Sequence, residues 1–351
     1  MRLSLIGAVA VLIAGVASTA NAQVKVLTYD GDWGDALAAA ISESPDLPVI
    51  VERYDGSLDA ASSTASLVDA ETDAANLMCD DGPAQPVDPA LAQAFPRSLT
   101  PDVMHQCGVG YLVTSLVLAT RSDGPDSWVA FFDAERFPGA RALPRGARGT
   151  LEIALMADGV ALADVYALLE TPEGITRALD KLDALFTQTQ IVFWDTPDDA
   201  VALLRADAVA AAALPSVHAA HIVQQDQQEL DTSSAFQISF TGQIYRVQRL
   251  VVFPAATSDQ ETVRRVLTSV LSAKGQALLA KALLAGPVNP EAWDIMPASL
   301  APLLPTALSH DITVTGLADN ADFWADHGDD IEARFATWLD AHEQGTSPAL
   351  P

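Results

Sequence analysis

The sequence predicts an α/β protein built from two α/β units. Three observations favour this class: the N-terminal third alternates β-rich runs with apolar-periodic segments, turn residues interrupt the chain at 121–126, and a second alternating series fills residues 122–247. Alternating strands and helices are typical of a parallel sheet covered by helices. The length of 351 residues, 50% hydrophobic and 19% charged, suits one large domain or two ordinary ones.

The first 22 residues have the three parts of a secretory signal peptide. Arg2 supplies a positive charge, residues 3–16 form an apolar run, and Ala20-Asn21-Ala22 is a small-residue cleavage site before Gln23. The apolar run is short for a membrane span, and an uncleaved anchor is the alternative. We therefore expect cleavage and a periplasmic location.

The N-terminal third is predicted to begin with a strand at 24–29, a turn at Asp30-Gly31-Asp32 and a helix at 36–41. A second strand at 47–54, a helix at 60–70 and a short strand at 74–78 follow. Residues 109–120 form a long β-branched strand. Loops at the carboxyl ends of such strands are the usual ligand positions.

The second unit starts with a predicted loop at 137–149 and helices at 151–156 and 162–169. Thr171-Pro172 and Thr196-Pro197 each open a helix, because threonine is a good N-cap and proline fits the first helical turn. Strands are predicted at 191–194 and 208–213.

The C-terminal part begins with a strong predicted strand at 244–253, which ends at Pro254. Ser258 and Glu261 have the spacing of a capping box, and helices continue through residue 285. Residues 322–342 are predicted as a docked helix, whose apolar stripe contains Phe323, Trp324, Ile331, Phe335, Trp338 and Leu339.

The charge balance excludes nucleic acid as a partner. The chain has 19 Lys and Arg against 46 Asp and Glu, a formal charge of −27, so a phosphate backbone should be repelled. No nucleophile elbow, zinc-protease helix or P-loop is present, and we predict no catalytic residues and no cofactor. A secreted enzyme remains the alternative, because catalytic carboxylate pairs cannot be recognised among so many acids.

Metal binding is also not predicted. His218 and His221 would share one face of a helix, but no third ligand is spaced near them, so surface histidines are the favoured interpretation. The acidic loop that starts at Asp30 lacks the spacing and the closing glutamate of an EF-hand.

Cys79 and Cys107 are the two cysteines of the exported part. An even count in an oxidising compartment favours one disulfide, and two independent buried thiols are the alternative.

Several segments resemble the polyamine-type (spermidine/putrescine-like) periplasmic solute-binding proteins of ABC transporters. They are residues 137–143 (FPGARAL), 150–160 (TLEIALMADGV) and 164–166 (DVY). Further similar fragments follow in family order: 79–82, 107–110, 171–174, 179–183, 242–245, 286–290, 323–324 and 338–339.

The resemblance implies two α/β lobes joined by crossing hinge strands, with a ligand cleft that closes on a small solute. It implies residues 23–121 plus 248–300 as lobe 1, residues 122–247 as lobe 2, and residues 301–351 as a C-terminal helical segment packed on the lobes. The implied partners are a small-molecule solute and a cognate ABC permease in the inner membrane, and the protein is expected to be a monomer. The pair Cys79 and Cys107 is similar to the disulfide of one branch of the family.

The expected pocket departs from the family pattern. Tyr29 and Trp33 keep the two aromatic positions of the first loop, but Asp30 replaces a glycine. Thr241 and Gln248 stand where family members have acids. Because an ammonium ligand in a dry cleft needs carboxylates and aromatic faces, these changes argue against a simple diamine.

Arginines flank this altered position. Arg246 or Arg249 is suited to clamp the carboxylate of an amino-acid or opine-like solute, and the alternative is that both point to solvent. The residues expected to line the cleft are Tyr29, Asp30, Asp32, Trp33, Glu152, Trp194, Ser216, Tyr245 and Gln248. We therefore expect an extracytoplasmic substrate-binding component of an ABC importer for a polyamine-like, amine or amino-acid compound, and a secreted enzyme or a degenerate receptor-type binding lobe is the alternative.

Overall fold

The computed structural model describes residues 23–44, 46–57, 64–80, 82–88, 103–230, 234–255, 259–307 and 311–345, so the predicted signal peptide lies outside the described residues. Its first elements are β1 (Val24–Thr28), α1 (Asp32–Ser42), β2 (Val49–Arg53), β3 (Leu67–Ala70), α2 (Thr72–Asp80), β4 (Met104–His105) and β5 (Gly108–Arg121). β1 pairs in parallel with both β2 and β3, as the alternating pattern predicts.

Two short predictions in this part are wrong. The helix predicted at 60–70 ends in β3, and the strand predicted at 74–78 lies within α2; residues 60–63 lie outside the described part of the chain. All four residues of β3 are buried between β1 and β9, so the sheet decides their conformation. Short apolar runs do not distinguish strand from helix by periodicity alone.

The next elements are α3 (Trp128–Phe131), β6 (Arg141–Pro144), α4 (Thr150–Ala157), a 3₁₀ turn (Leu162–Asp164), α5 (Val165–Leu169), α6 (Pro172–Phe186), β7 (Ile191–Trp194), α7 (Pro197–Arg205), β8 (Ala211–Pro215) and α8 (Ser216–Leu230). Thr171 and Thr196 cap α6 and α7 by accepting hydrogen bonds from Gly174 N and Asp199 N, as predicted.

β6 corrects the loop predicted at 137–149. It pairs in parallel with β7 and β8. Its first residue, Arg141, is fully buried and donates hydrogen bonds to the backbone carbonyl oxygens of Phe131, Phe137 and Gly139. These hydrogen bonds hold the backbone in place before the strand, and no local sequence pattern predicts them.

The chain then forms β9 (Phe236–Val252), α9 (Gln260–Leu271), α10 (Ala273–Leu283), β10 (Gly286–Pro287), 3₁₀ turns at Pro290–Asp294 and Ala298–Leu303, α11 (Ile312–Thr315), β11 (Gly316–Ala318) and α12 (Ala321–Gly345). The N-cap of α9 is Asp259, which accepts from Thr262 N, and Glu261 pairs with Arg264 instead of closing a capping box. The predicted cap residue Ser258 lies outside the described residues.

The long strands β5 and β9 connect the two ends of the structure. They run antiparallel from the pair Gly108 and Val251 to the pair Arg121 and Phe236. In the described part of the chain the strand order is β2-β1-β3-β9-β5-β8-β6-β7. Separate hydrophobic clusters flank the two ends, one with α1, α9 and α10 and one with α4, α6 and α12. The predicted lobe boundaries remain a prediction.

Two further predictions concern the disulfide and the membrane. Cys79 at the end of α2 is bonded to Cys107, with their Cα atoms 5.7 Å apart, so the predicted disulfide is confirmed. Within the described ranges, no helix is long and apolar enough to span a bilayer.

Candidate functional site

A cluster of charged side chains joins three parts of the fold. Arg148 precedes α4 and donates two hydrogen bonds, of 2.7 and 2.9 Å, to the carboxylate of Asp73 in the first turn of α2. Its Nε also donates to Asp319, which follows β11, at 3.0 Å. Arg246 on β9 donates from Nε to the same Asp319 carboxylate at 3.1 Å. One carboxylate therefore holds two guanidinium groups.

The members of this cluster differ in their burial. The Asp319 side chain is 1% exposed, whereas that of Arg246 is 41% exposed. Burial opposes the charge on Arg148, but its hydrogen bonds to Asp319 and Asp73 outweigh that effect and raise its pKa. The site thus holds acidic and basic side chains in direct contact.

Two adjoining cavities meet at this cluster, and both are lined by Arg246 and Asp319. The larger has a volume of about 660 Å³, and its other lining residues include Thr72, Asn76, His105, Tyr166, Tyr245, Val247, Arg249 and Asp322. The smaller has a volume of about 210 Å³, and its lining includes Ser115, Pro144, Arg148, Trp194, Pro215 and Ile244. Cavities of this size that combine apolar walls with fixed polar and charged groups suit small ligands.

Glu152 lies beneath the cluster and lines neither cavity. It is fully buried and accepts hydrogen bonds from Gly149 N at 2.7 Å and from Trp324 Nε1 at 2.9 Å. Burial raises the pKa of Glu152 to about 7, and the nearby charge of Asp319 acts in the same direction. Its hydrogen bonds tie the loop that carries Arg148 to α12.

A second polar cluster surrounds Asp69 on β3. Its buried carboxylate accepts hydrogen bonds from Thr28, Tyr111 and Gln248. Trp33 Nε1 donates to the hydroxyl oxygen of Tyr111 at 2.8 Å. Burial raises the pKa of Asp69 to about 6. Two predicted cleft residues, Trp33 and Gln248, therefore converge on an acid that the sequence did not single out.

The other predicted residues occupy different positions. Trp194 lines the smaller cavity and Tyr245 the larger. Tyr29 stacks on Tyr54, with ring centroids 5.3 Å apart. Ser216 is buried and accepts a hydrogen bond from Ser115 N at 3.1 Å.

Asp30 and Asp32 are exposed, and Asp30 accepts from Gly31 N. Neither aspartate lines the two cavities. The expectation that these nine residues form one binding site stays a prediction.

The arginines flanking Gln248 differ in their environments. Arg246 lines both cavities, whereas Arg249 is 5% exposed, lines the larger cavity and donates hydrogen bonds to Thr72 and to the carbonyl oxygen of Val247. The alternative in which both arginines point to solvent is therefore wrong.

Three residues of the charged cluster were not predicted. Arg148 lies in the predicted loop at 137–149, between two segments that resemble the family, and Asp73 and Asp319 lie in acidic surroundings that give no local signal. For metals, the described residues contain no group of three or more histidine, cysteine, aspartate or glutamate side chains able to hold an ion.

Comparisons with known proteins agree with this architecture. A sequence profile described as bacterial extracellular solute-binding protein matches residues 16–306. The gamma-aminobutyric acid-binding protein of Pseudomonas aeruginosa is 30% identical over 357 aligned positions, which cover 96% of each chain.

Solved structures show the same fold. An ABC transporter substrate-binding protein from Bradyrhizobium japonicum has a TM-score of 0.71 at 23% identity, with 91% of this chain and 100% of that chain covered. The periplasmic binding protein AttC of Agrobacterium tumefaciens, in an open unliganded conformation, has a TM-score of 0.75 at 20% identity, with 90% and 99% covered. The predicted fold class is thus confirmed, as is the prediction of a solute-binding protein rather than an enzyme. The chain belongs to the family of bacterial extracellular solute-binding proteins.

Proposed function

We propose that this protein is the substrate-binding component of an ABC importer and that its solute is a small amino-acid zwitterion of the γ-aminobutyrate type. The observation that carries the proposal is Arg246, which lines both cavities while buried Asp319 holds its Nε. A guanidinium fixed on one edge can present its remaining nitrogens to a carboxylate as a planar fork. The similarity to a gamma-aminobutyric acid-binding protein supports this solute class.

The charges around the cavities favour a zwitterion over a polyamine-like compound, which the sequence also allows. A diammonium compound would be repelled by the guanidinium groups of Arg148 and Arg246, which line the smaller cavity. A dicarboxylate would place a carboxylate near Asp319, which lines both cavities, and the two acidic groups would repel each other. A compound with one charge of each sign avoids both repulsions, because the larger cavity is lined by side chains of both charges.

The proposed mechanism is closure of a cleft between two lobes. We assign residues 23–121 plus 248–300 to one lobe, residues 122–247 to the other, and residues 301–351 to a segment packed on them. The hydrogen bonds from Arg148 to Asp73 connect these two lobes beside the cavities. The protein acts outside the cytoplasm as a monomer, after removal of residues 1–22, and delivers its solute to a membrane permease.

Titration calorimetry of the protein without residues 1–22 tests the solute class. We expect binding of γ-aminobutyrate and weaker or no binding of putrescine and succinate. Substitution Arg246→Met should lower the affinity for γ-aminobutyrate about tenfold to a hundredfold, because a hydrogen-bonded charge pair is lost. Arg264→Met is the matched control, since Arg264 pairs with Glu261 on α9 and lines neither cavity.

Two results would contradict the proposal: tighter binding of putrescine than of γ-aminobutyrate, or unchanged affinity in the Arg246→Met variant. Absence of binding to all three compounds, together with capture of a protein partner, would support the receptor alternative.

A further inference from the structure

The larger cavity contains one carboxylate that is available to a ligand. Asp322 lies in the first turn of α12, is exposed, and accepts a hydrogen bond from Asn76 Nδ2 at 2.6 Å. In the part of the chain that the structure describes, no lysine or arginine forms an ion pair with it. The hydrogen bond from α2 restrains the carboxylate and leaves its other oxygen for a further donor.

The other acids of the site are already engaged. Asp319 is 1% exposed and accepts hydrogen bonds from two arginines. Asp73 accepts two hydrogen bonds from Arg148 and does not line the larger cavity. An ammonium group that entered this cavity would therefore have to displace an arginine to reach either of them.

His105 lines the same cavity and is the neighbouring group that could neutralise Asp322. Burial lowers the pKa of His105, and the charge of Arg249 lowers it further, whereas Asp80 and Asp322 act in the opposite direction. The net lowering favours the neutral imidazole near pH 7, so His105 does not supply a positive charge to Asp322.

We propose that Asp322 accepts the ammonium group of the solute while Arg246 binds its carboxylate. This inference rests on the proposed function and deepens it, because it makes Asp322 the residue that selects zwitterions over simple carboxylates. Both residues line the larger cavity. Tyr166 and Tyr245 line the wall of the same cavity and offer apolar surface to the methylene groups of such a solute.

A comparison of two ligands with two variants tests this role. Titration calorimetry measures γ-aminobutyrate directly and butyrate, which lacks the ammonium group, by displacement. Asp322→Asn should lower the affinity for γ-aminobutyrate at least tenfold and change that for butyrate by less than about twofold. Arg246→Met should weaken both compounds, because both carry the carboxylate.

Asp326→Asn is the matched control, since Asp326 is an exposed carboxylate on the same helix that does not line the cavity. We expect it to leave both affinities unchanged. If Asp322→Asn weakens both compounds equally or leaves γ-aminobutyrate binding intact, while Arg246→Met weakens both, the role of Asp322 is refuted and the proposed function stands. Wild-type protein that binds neither compound refutes both.

Discussion

Replacement of buried Glu152 by glutamine should stabilise the protein relative to wild type increasingly as the pH rises. Burial raises the pKa of Glu152 from the ordinary 4.5 to about 7, so the folded protein holds this proton more tightly than the unfolded chain. Between these two values the unfolded chain ionises first, and the free energy of unfolding of the wild type falls as the pH increases. The effect is complete above pH 7 and absent below pH 4.5.

The magnitude follows from the two pKa values. A difference of about 2.5 corresponds to roughly 3 kcal/mol of unfolding free energy. Glutamine does not ionise, so Glu152→Gln removes this loss. Its single side-chain oxygen can accept from only one of Gly149 N and Trp324 Nε1, which should cost about 1 kcal/mol at every pH.

Urea unfolding followed by tryptophan fluorescence at pH 4, 5.5, 7 and 8 measures this difference. We expect Glu152→Gln to be slightly less stable than wild type at pH 4 and about 2 kcal/mol more stable at pH 8. Glu135→Gln removes one exposed carboxylate and serves as the control. Stability profiles of wild type and Glu152→Gln that stay parallel from pH 4 to 8 would refute the argument.

Three further predictions concern the stability of the fold. Serine at both Cys79 and Cys107, which are 28 positions apart, should lower the unfolding free energy by about 3–4 kcal/mol and make urea unfolding insensitive to reductant; an equal response of variant and wild type to reductant would contradict this. Arg148→Met should cost about 3 kcal/mol in the same assay, because it leaves Asp73 and a buried carboxylate short of partners, and a loss below about 1 kcal/mol would show that the cluster adds little. Gly34→Ala would place a Cβ atom 2.1 Å from a backbone carbonyl oxygen and should lower the thermal midpoint, whereas an unchanged midpoint would mean that the loop before α1 shifts freely.

Local signals in the sequence predicted several elements well. Thr171 and Thr196, each followed by proline, marked the starts of α6 and α7, and β7 was predicted with its observed bounds. A capped helix start depends on a few consecutive residues. Such local signals therefore predict a helix start independently of the tertiary contacts around it.

Short apolar segments were predicted poorly. β3 and α2 were assigned the opposite conformations, and β6 was assigned to a loop. β3 and β6 are short, and their conformation depends on the neighbouring strands β1, β9 and β8, which come from distant parts of the chain. Sheet pairing therefore overrides the weak local preference.

At the candidate site, too, some residues were predicted from the sequence and others were not. Trp194 and Tyr245 were expected at the cleft and line the two cavities. Arg246 was expected to bind a carboxylate, and its place at the junction of the cavities supports that proposal. Asp319 and Asp322, which line the larger cavity, were not predicted, because an acid at a cavity is indistinguishable in sequence from the many that cover the surface.

The sequence by itself determined the α/β class, the capped helices, the pair of cysteines and the resemblance to periplasmic solute-binding proteins. Only the tertiary structure decided which acidic and basic side chains form ion pairs. Arg148 reaches Asp73 across 75 positions and Asp319 across 171, and these contacts exist only because α2, the loop before α4 and the end of β11 meet beside the same cavities. The physical reason is the separation in sequence of the interacting residues. Helix caps and apolar faces depend on residues within one element, whereas these ion pairs depend on how several elements pack.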